Sequence, residues 1–405
     1  MQNPFRGKLA LQGMAALMGI FFKPTIKNLY GSVFCHGFRG MQALKGMAAL
    51  TGLLIKNFNE NLNYQKMNIP TNPKALVIEA YNANLVRALR SMKIIEKPFP
   101  EPQPGEVLVK MDASPVNPSD IAFLRGMYNV NKALPAVPGF EWTGIIIKTG
   151  DETSENLIGR RVSFFTQDEG DGAWCEYLTL KKGNYIFVND ELSLEQAACL
   201  FINPFTAYAM FDEALKSGTK AIIQTAANGQ VGRIIRFFAR ENGIKVINLV
   251  RKIEHVEAIK SEGEPFVLNL NDENFYENLK NLNNDLNATT AIDAVGGEIT
   301  GKLLNVMPAG SQVILYGGLS GVPVSMIDPL EVIFKNKILK GFNLGDWMKI
   351  TPVDEIERIT DYLQSLFIQK KLETRIQASF PLENFYEGLR AYISDMSAGK
   401  VLFRM

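Results

Sequence analysis

TKAIIQTAANGQVGRIIRFFARENG, residues 219–243, decides the fold. The segment TKAIIQT (219–225) reads as a short buried strand, and AANGQVGRIIRFFARENG (226–243) reads as a glycine-bearing turn that opens a helix. Working outward, KVINLVR (245–251) is a second strand, IEHVEAIKSEG (253–263) a second helix, and ATTAIDAV (288–295) and SQVILYGG (311–318) are two further strands. Strands joined by helices, with a tight turn after the first strand, imply a parallel, doubly wound α/β sheet.

The turn Ala226-Ala227-Asn228-Gly229-Gln230-Val231-Gly232 places glycine at two points where backbone must approach a ligand or pack closely. At a helix N-terminus, unpaired N–H groups and the helix dipole attract a pyrophosphate. The alternative is that Gly229 and Gly232 only permit a tight crossover. The next strand ends Leu249-Val250-Arg251-Lys252. An acid at such an end suits an unphosphorylated ribose, whereas a base suits a 2′-phosphate, so two cations point to NADPH unless they are a solvated corner.

Upstream the texture differs. KALVIEA, GEVLVKMDA, TGIIIKTG, RRVSFF and WCEYLTL are short runs punctuated by Pro and Gly, as in an antiparallel barrel or sandwich. Near Leu192 the sequence SLEQAACLFINPFTAYAMFDEAL turns helical in its spacing, which sets a domain boundary close to residue 190.

The chain has 405 residues, 46% apolar and 21% charged, with a formal net charge of +1. That balance gives no global pull toward nucleic acid or anionic lipid, so phosphate must be bound locally. Three separated cysteines, Cys35, Cys175 and Cys199, argue for a reducing compartment, the cytoplasm. Only two histidines are present, His36 and His255, and neither lies near two cysteines in sequence, so no metal site is expected. The same scarcity removes most Ser-His-Asp and Cys-His schemes. His255 reads as a surface residue.

Residues 1–66 stand apart. FRGKLALQGMAALMGIFFK (5–23) recurs as FRGMQALKGMAALTGLLIK (38–56), and Met1 to Asn59 contains no Asp or Glu. A basic, acid-free, amphipathic stretch resembles an organelle-targeting segment, which would make the protein mitochondrial. The apolar run from Leu9 to Phe22 falls short of the ~20 residues of a bilayer span, so no transmembrane segment is expected and a membrane role would be interfacial. Alternatively, natural translation starts at Met67.

Several motifs in one order then carry a resemblance: VNPSDIAFLRGMY (116–128), LPAVPGFEWTG (134–144), INPFTAY (202–208), QTAANGQVGR (224–233), LYGGLS (315–320) and FKNKILKGFNLGDW (334–347). From about Lys74 to Met405 the chain resembles the medium-chain dehydrogenase/reductase superfamily, and within it the zinc-free quinone oxidoreductase and 2-enoyl thioester reductase branch. The resemblance implies a GroES-like β-barrel catalytic domain (67–190), a Rossmann NADPH-binding domain (191–335) and a C-terminal segment (336–405) that returns to the first domain. Where zinc-dependent members carry a Gly-His-Glu motif, this sequence has Gly139-Phe140-Glu141. Phenylalanine cannot ligate zinc, which leaves Glu141 a structural role.

Tyr128 falls at the position of the family's proposed proton-donor tyrosine, and the alternative is a packing residue. By the same resemblance Asn117 lies near the nicotinamide, and Asn203 and Thr206 lie against the cofactor. Asn228, Gly229, Gln230, Val231 and Gly232 hold the pyrophosphate, and Arg251 and Lys252 hold the 2′-phosphate. Tyr316, Gly317, Gly318, Leu319, Phe342, Asn343 and Leu344 line the nicotinamide side, with Lys400 near the C-terminus. The implied protein is a homodimeric, zinc-independent, NADPH-dependent reductase of an activated C=C bond in an enoyl thioester, enone or quinone. A non-catalytic NADPH-binding protein, acting as redox sensor or structural protein, and an alcohol dehydrogenase of the same superfamily stay open.

Overall fold

The structure, a computed structural model, describes residues 70–166, 170–181 and 183–405. The duplicated basic stretch within residues 1–66 lies outside the described residues. A two-stranded antiparallel ribbon, β1 (Lys74–Ile78) and β2 (Met92–Glu96), precedes the first large sheet. That sheet is built on β3 (Glu106–Pro115), which pairs antiparallel with both β4 (Glu141–Thr149) and β6 (Tyr177–Lys181); β5 (Arg161–Phe165) and β7 (Tyr185–Phe187) extend it beyond β4. Trp142, Trp174, Phe123, Phe140 and Phe164 fill its core. This is the β-rich half that the Pro/Gly punctuation predicts.

The second sheet is parallel throughout. It contains β8 (Ala221–Gln224), β9 (Lys245–Val250), β10 (Val267–Asn269), β11 (Thr290–Asp293), β12 (Gln312–Leu315) and β13 (Ile338–Gly341), in the order β10-β9-β8-β11-β12-β13. Counted within the sheet this is 3-2-1-4-5-6, the doubly wound dinucleotide-binding order. Central strands are apolar on both faces because helices cover both; β8 is buried at every residue. The helices Ile202–Lys216 and Gln230–Glu241 share one core through Phe205, Met210, Ile234 and Phe238.

The third part departs from the expected boundary at 335/336. β13 begins beyond it and is still the sixth strand of the parallel sheet, and the helix Val353–Ile368 packs its Ile359, Leu363 and Phe367 into the same core. The chain returns to the first sheet only with β14 (Ile376–Pro381) and β15 (Lys400–Arg404), where β15 pairs with β3. The cause is the brevity of β13: four residues, mostly exposed, with no alternating pattern to mark them in sequence.

A buried polar chain ties the two halves together. Glu141, at the start of β4, accepts the backbone N–H of Phe201 at 3.0 Å and of Ile202 at 2.7 Å on one oxygen, and the Asn117 side-chain amide at 3.0 Å on the other. Asn117 in turn accepts from the ammonium of Lys400 on β15. All three side chains are buried. Burial pushes the Glu141 carboxyl up, while Lys400, Asn117 and the two backbone donors pull it down. The donors run in one direction, and only an acid at 141 accepts from all of them. Glu141→Gln therefore sets an amide NH₂ against a donor and removes one of the two carboxyl groups that interact with Lys400; we expect a loss of about 3 kcal/mol, measured by urea unfolding.

Asp120 lies beside this chain, fully buried, its carboxylate accepting the Asn117 N–H at 2.7 Å. Burial raises its carboxyl from 3.8 to about 7, opposed by that N–H and by Lys400. The folded protein therefore holds the proton more tightly than the unfolded chain. The stabilisation is full below 3.8 and is lost as pH rises through about 7. Asp120→Asn keeps the acceptor but does not titrate, so its unfolding free energy should rise less than that of the parent between pH 8 and about pH 5 in parallel denaturation series.

Candidate active site

Because every strand of the second sheet runs the same way, all its C-terminal ends lie on one edge. The turn 226–232 follows β8, Arg251 and Lys252 follow β9, Tyr316 to Leu319 follow β12, and Phe342 to Leu344 follow β13. The strand order reverses between β8 and β11, which opens a crevice at that edge. The structure thus gathers residues that sequence places more than a hundred positions apart.

The glycine turn is shaped by close approach. Ala226 takes a positive φ of 49°, and a Cβ on Gly232 would sit 2.5 Å from the Ala227 carbonyl oxygen, so the first helical turn packs directly on the loop. At Gly229 the nearest atom to such a Cβ is 3.2 Å away, a looser constraint. Arginines brace the turn from the helix side. Arg233 donates to the Asn228 side chain at 2.8 Å, buried Arg236 donates to the Ala227 carbonyl, and Glu262 holds both guanidinium groups. The side chain of Asn228 thereby shapes the turn, and that of Gln230 reaches Glu373 O at 3.1 Å. What the turn offers a ligand is the set of N–H groups at the start of Gln230–Glu241, which have no intrahelical acceptor.

Across the reversal point, Asp293 at the end of β11 accepts from Thr225 Oγ1 at 2.7 Å, Thr300 Oγ1 at 2.6 Å and the N–H of Val295 at 2.8 Å. It ties the end of β8 to the end of β11 at the reversal point. Gly317 packs closely on the residue after Asp293, since a Cβ there would lie 2.6 Å from the Ala294 carbonyl oxygen. Gly318 has no such neighbour, and Leu319 is held by its N–H to Ala294 O at 3.1 Å. Sequence reasoning missed Thr225 and Asp293. An acid closing the apolar strand TAID was the available signal.

Tyr316 is held by its N–H to Asp293 O at 2.9 Å, and burial pushes its phenol up. Phe342 packs in the helix core, and Asn343 caps the helix Leu344–Ile350 by accepting the Asp346 N–H at 3.0 Å. Asn203 and Thr206 sit on the first turns of Ile202–Lys216, the helix whose N-terminus Glu141 holds.

At the end of β9, Arg251 and Lys252 are exposed. Lys252 Nζ lies 3.4 Å from Asp395 Oδ2, in the loop before β15. His255 is half-buried rather than a free surface residue, its Nε2 3.3 Å from Ser397 Oγ, because the same loop folds over it. Burial and Lys252 lower the His255 imidazole, against Asp395.

On the first sheet, the Tyr128 ring packs on Phe140 at 5.2 Å between centroids, and Phe140 packs on Phe123 at 5.4 Å. Gly139 has φ +95°, and a Cβ there would meet Trp174 at 2.6 Å. So Gly139-Phe140-Glu141 is fixed by a backbone turn, an aromatic stack and a buried carboxylate. Lys132 Nζ is 5.9 Å from the Phe140 centroid and donates to Gly170 O at 2.5 Å. Among the described residues, no three His, Cys, Asp or Glu side chains gather where they could hold a metal ion. Cys175 and Cys199 are buried thiols, and burial raises the first to about 12.

Residues 103–200 match the alcohol dehydrogenase GroES-like domain family. The chain is 32% identical over 308 residues to the mitochondrial enoyl-[acyl-carrier-protein] reductase of Rattus norvegicus, covering 74% of this chain and 81% of that one. Against the Arabidopsis thaliana protein of the same name it is 30% identical, covering 72% and 78%. A solved structure from Mesorhizobium loti, provisionally described as an NADPH:quinone reductase, superposes with a TM-score of 0.78 at 29% identity, covering 84% of this chain and 100% of that one. The fold, the crevice and these likenesses agree: the chain belongs to the medium-chain dehydrogenase/reductase superfamily, in its zinc-free quinone oxidoreductase and 2-enoyl thioester reductase branch.

Proposed function

We propose that this protein is an NADPH-dependent oxidoreductase that reduces the C=C bond of an enoyl thioester without a metal. The observation that carries the reading is the edge of the parallel sheet where its strand order reverses: a close-packed glycine turn opens the helix Gln230–Glu241 there, and the exposed cations Arg251 and Lys252 follow the next strand. The residues fit the cofactor: N–H donors for a pyrophosphate, two bases for a 2′-phosphate, and backbone at Gly317 that leaves no room for a side chain. When bound, NADPH supplies the hydride that adds to the β-carbon.

The chain's own part is positioning and proton management. Addition at the β-carbon leaves an enolate, whose oxygen needs hydrogen-bond donors and whose α-carbon needs a proton. Tyr128 is the proposed proton donor, with Asn117 near the nicotinamide and Asn203, Thr206 and Lys400 as residues of the cofactor site. Phe140 stands where zinc-dependent relatives have a ligand, which supports a metal-free reaction. The curated relatives named above are enoyl reductases, and this favours a thioester over an enone or quinone.

Their names also carry the word mitochondrial. Together with the acid-free basic composition of residues 1–59, this supports a mitochondrial rather than a cytoplasmic location. Among the described residues no helix is long and apolar enough to cross a membrane. A homodimer through β13 is the proposed assembly: Ile333 and Phe334, on the helix Pro329–Lys335 that precedes it, and Ile338 on the edge strand itself are 66%, 78% and 48% exposed. Exposed apolar side chains at an edge strand favour association.

Purified protein with NADPH should consume crotonyl thioester faster than simple enones or quinones, with no loss of rate after chelation. Binding of NADPH without turnover on any of them would return the non-catalytic reading. Tyr128→Phe should lower kcat about 100-fold with the NADPH Kd unchanged, and an unaltered kcat would remove the tyrosine from proton transfer. Phe334→Asp should shift the protein from dimer to monomer in light scattering; a monomeric parent would refute the assembly.

A further inference from the structure

The loop that meets Lys252 belongs to the other half of the molecule. Asp395 ends the helix Phe385–Ser394, whose Leu389 and Tyr392 pack into the core of the first sheet, whereas Lys252 follows β9 of the parallel sheet, at the start of the helix Ile253–Ser261. The Asp395 carboxylate divides its work. Oδ1 accepts the N–H and hydroxyl of Ser397 and so holds its own loop, while Oδ2 faces the Lys252 ammonium at 3.4 Å. The serine hydroxyl also meets His255, which sits on the first turn after Lys252. Both members of the ion pair stay wet, with side chains 54% and 40% exposed.

A fixed carboxylate is a poor neighbour for a phosphate. Two anions beside one cation repel, and whichever binds must displace or share with the other. We propose that Asp395 is a specificity-determining residue of the cofactor site: it occupies Lys252 from across the cleft, so that a 2′-phosphate must take this cation from a carboxylate. This rests on the reading of Lys252 as a 2′-phosphate ligand. It makes the opposing half of the protein, and not only the strand end, a determinant of how tightly the phosphorylated nucleotide binds. A nucleotide without that phosphate leaves the pair intact, and its affinity is independent of Asp395.

The test is titration of NADPH and NADH into the parent protein, Asp395→Asn, Lys252→Met and the double variant, by intrinsic fluorescence. Asparagine keeps an oxygen for Ser397, so the loop has its acceptor; thermal melts check that all four proteins fold. Asp395→Asn should tighten NADPH about three- to fivefold, as befits an exposed pair, and leave NADH unchanged. The gain should shrink in molar salt. In the Lys252→Met background the gain should vanish, because the competition needs the lysine. Unchanged or weaker NADPH binding by Asp395→Asn, or a gain that survives in the double variant, would overturn the proposal. Lys252→Met separately tests the cofactor reading: it should weaken NADPH about tenfold, and an unchanged Kd there would refute the 2′-phosphate assignment and the present proposal with it.

Discussion

One carboxylate joins the two halves of this protein. Glu141 begins the longest pairing partner of β3 and at the same time holds the first N–H groups of the helix Ile202–Lys216, from which the parallel-sheet half grows. Taking a carboxylate out of water is costly, and here four groups offset it: two backbone donors, the Asn117 amide and the charge of Lys400. Such a site is stabilising only when complete. The consequence is geometric, since the residue beside Glu141 is Phe140, on which Tyr128 packs. The wall that carries the phenol and the helix that carries Asn203 and Thr206 are thus set by a single anchor.

The electrostatics are local for the same reason. With a net charge of +1 the molecule has no field to collect phosphates. In the proposed reading the anion is met by backbone N–H groups instead, since the arginines of the same helix are engaged by Asn228, the Ala227 carbonyl and Glu262. Burial lowers the Arg233 guanidinium, opposed by Glu262. These cations shape the turn. The proposed charge recognition is left to Arg251 and Lys252, which remain exposed.

The doubly wound half was legible because its signals are short in range: apolar runs of four to six residues, a glycine turn, then a helix. Gly232 illustrates the limit. The sequence showed a small residue at a plausible spot, and the 2.5 Å approach to Ala227 gives it a packing reason that holds with or without a ligand. Partnerships across the chain left no local trace. Lys400 and Asn117 are 283 positions apart, Glu141 and Ile202 are 61, and Lys252 and Asp395 are 143. β13 escaped notice because an exposed four-residue edge strand lacks the period that identifies buried ones.

The scarcity of imidazole constrains the chemistry more than any motif does. A protein with two histidines, one of them tucked against Ser397, has few groups able to give a proton near neutral pH. The buried thiols are poor candidates, since burial raises both well above their ordinary range. Asp120 titrates in the right range but is sealed in the core behind Asn117. The proposed donor, Tyr128, is instead a half-buried phenol packed on Phe140, the residue beside Glu141. An ordinary phenol is a weak acid, and for the proposed role weakness is an advantage, because such a group keeps its proton near neutral pH and gives it only to a strong base such as an enolate.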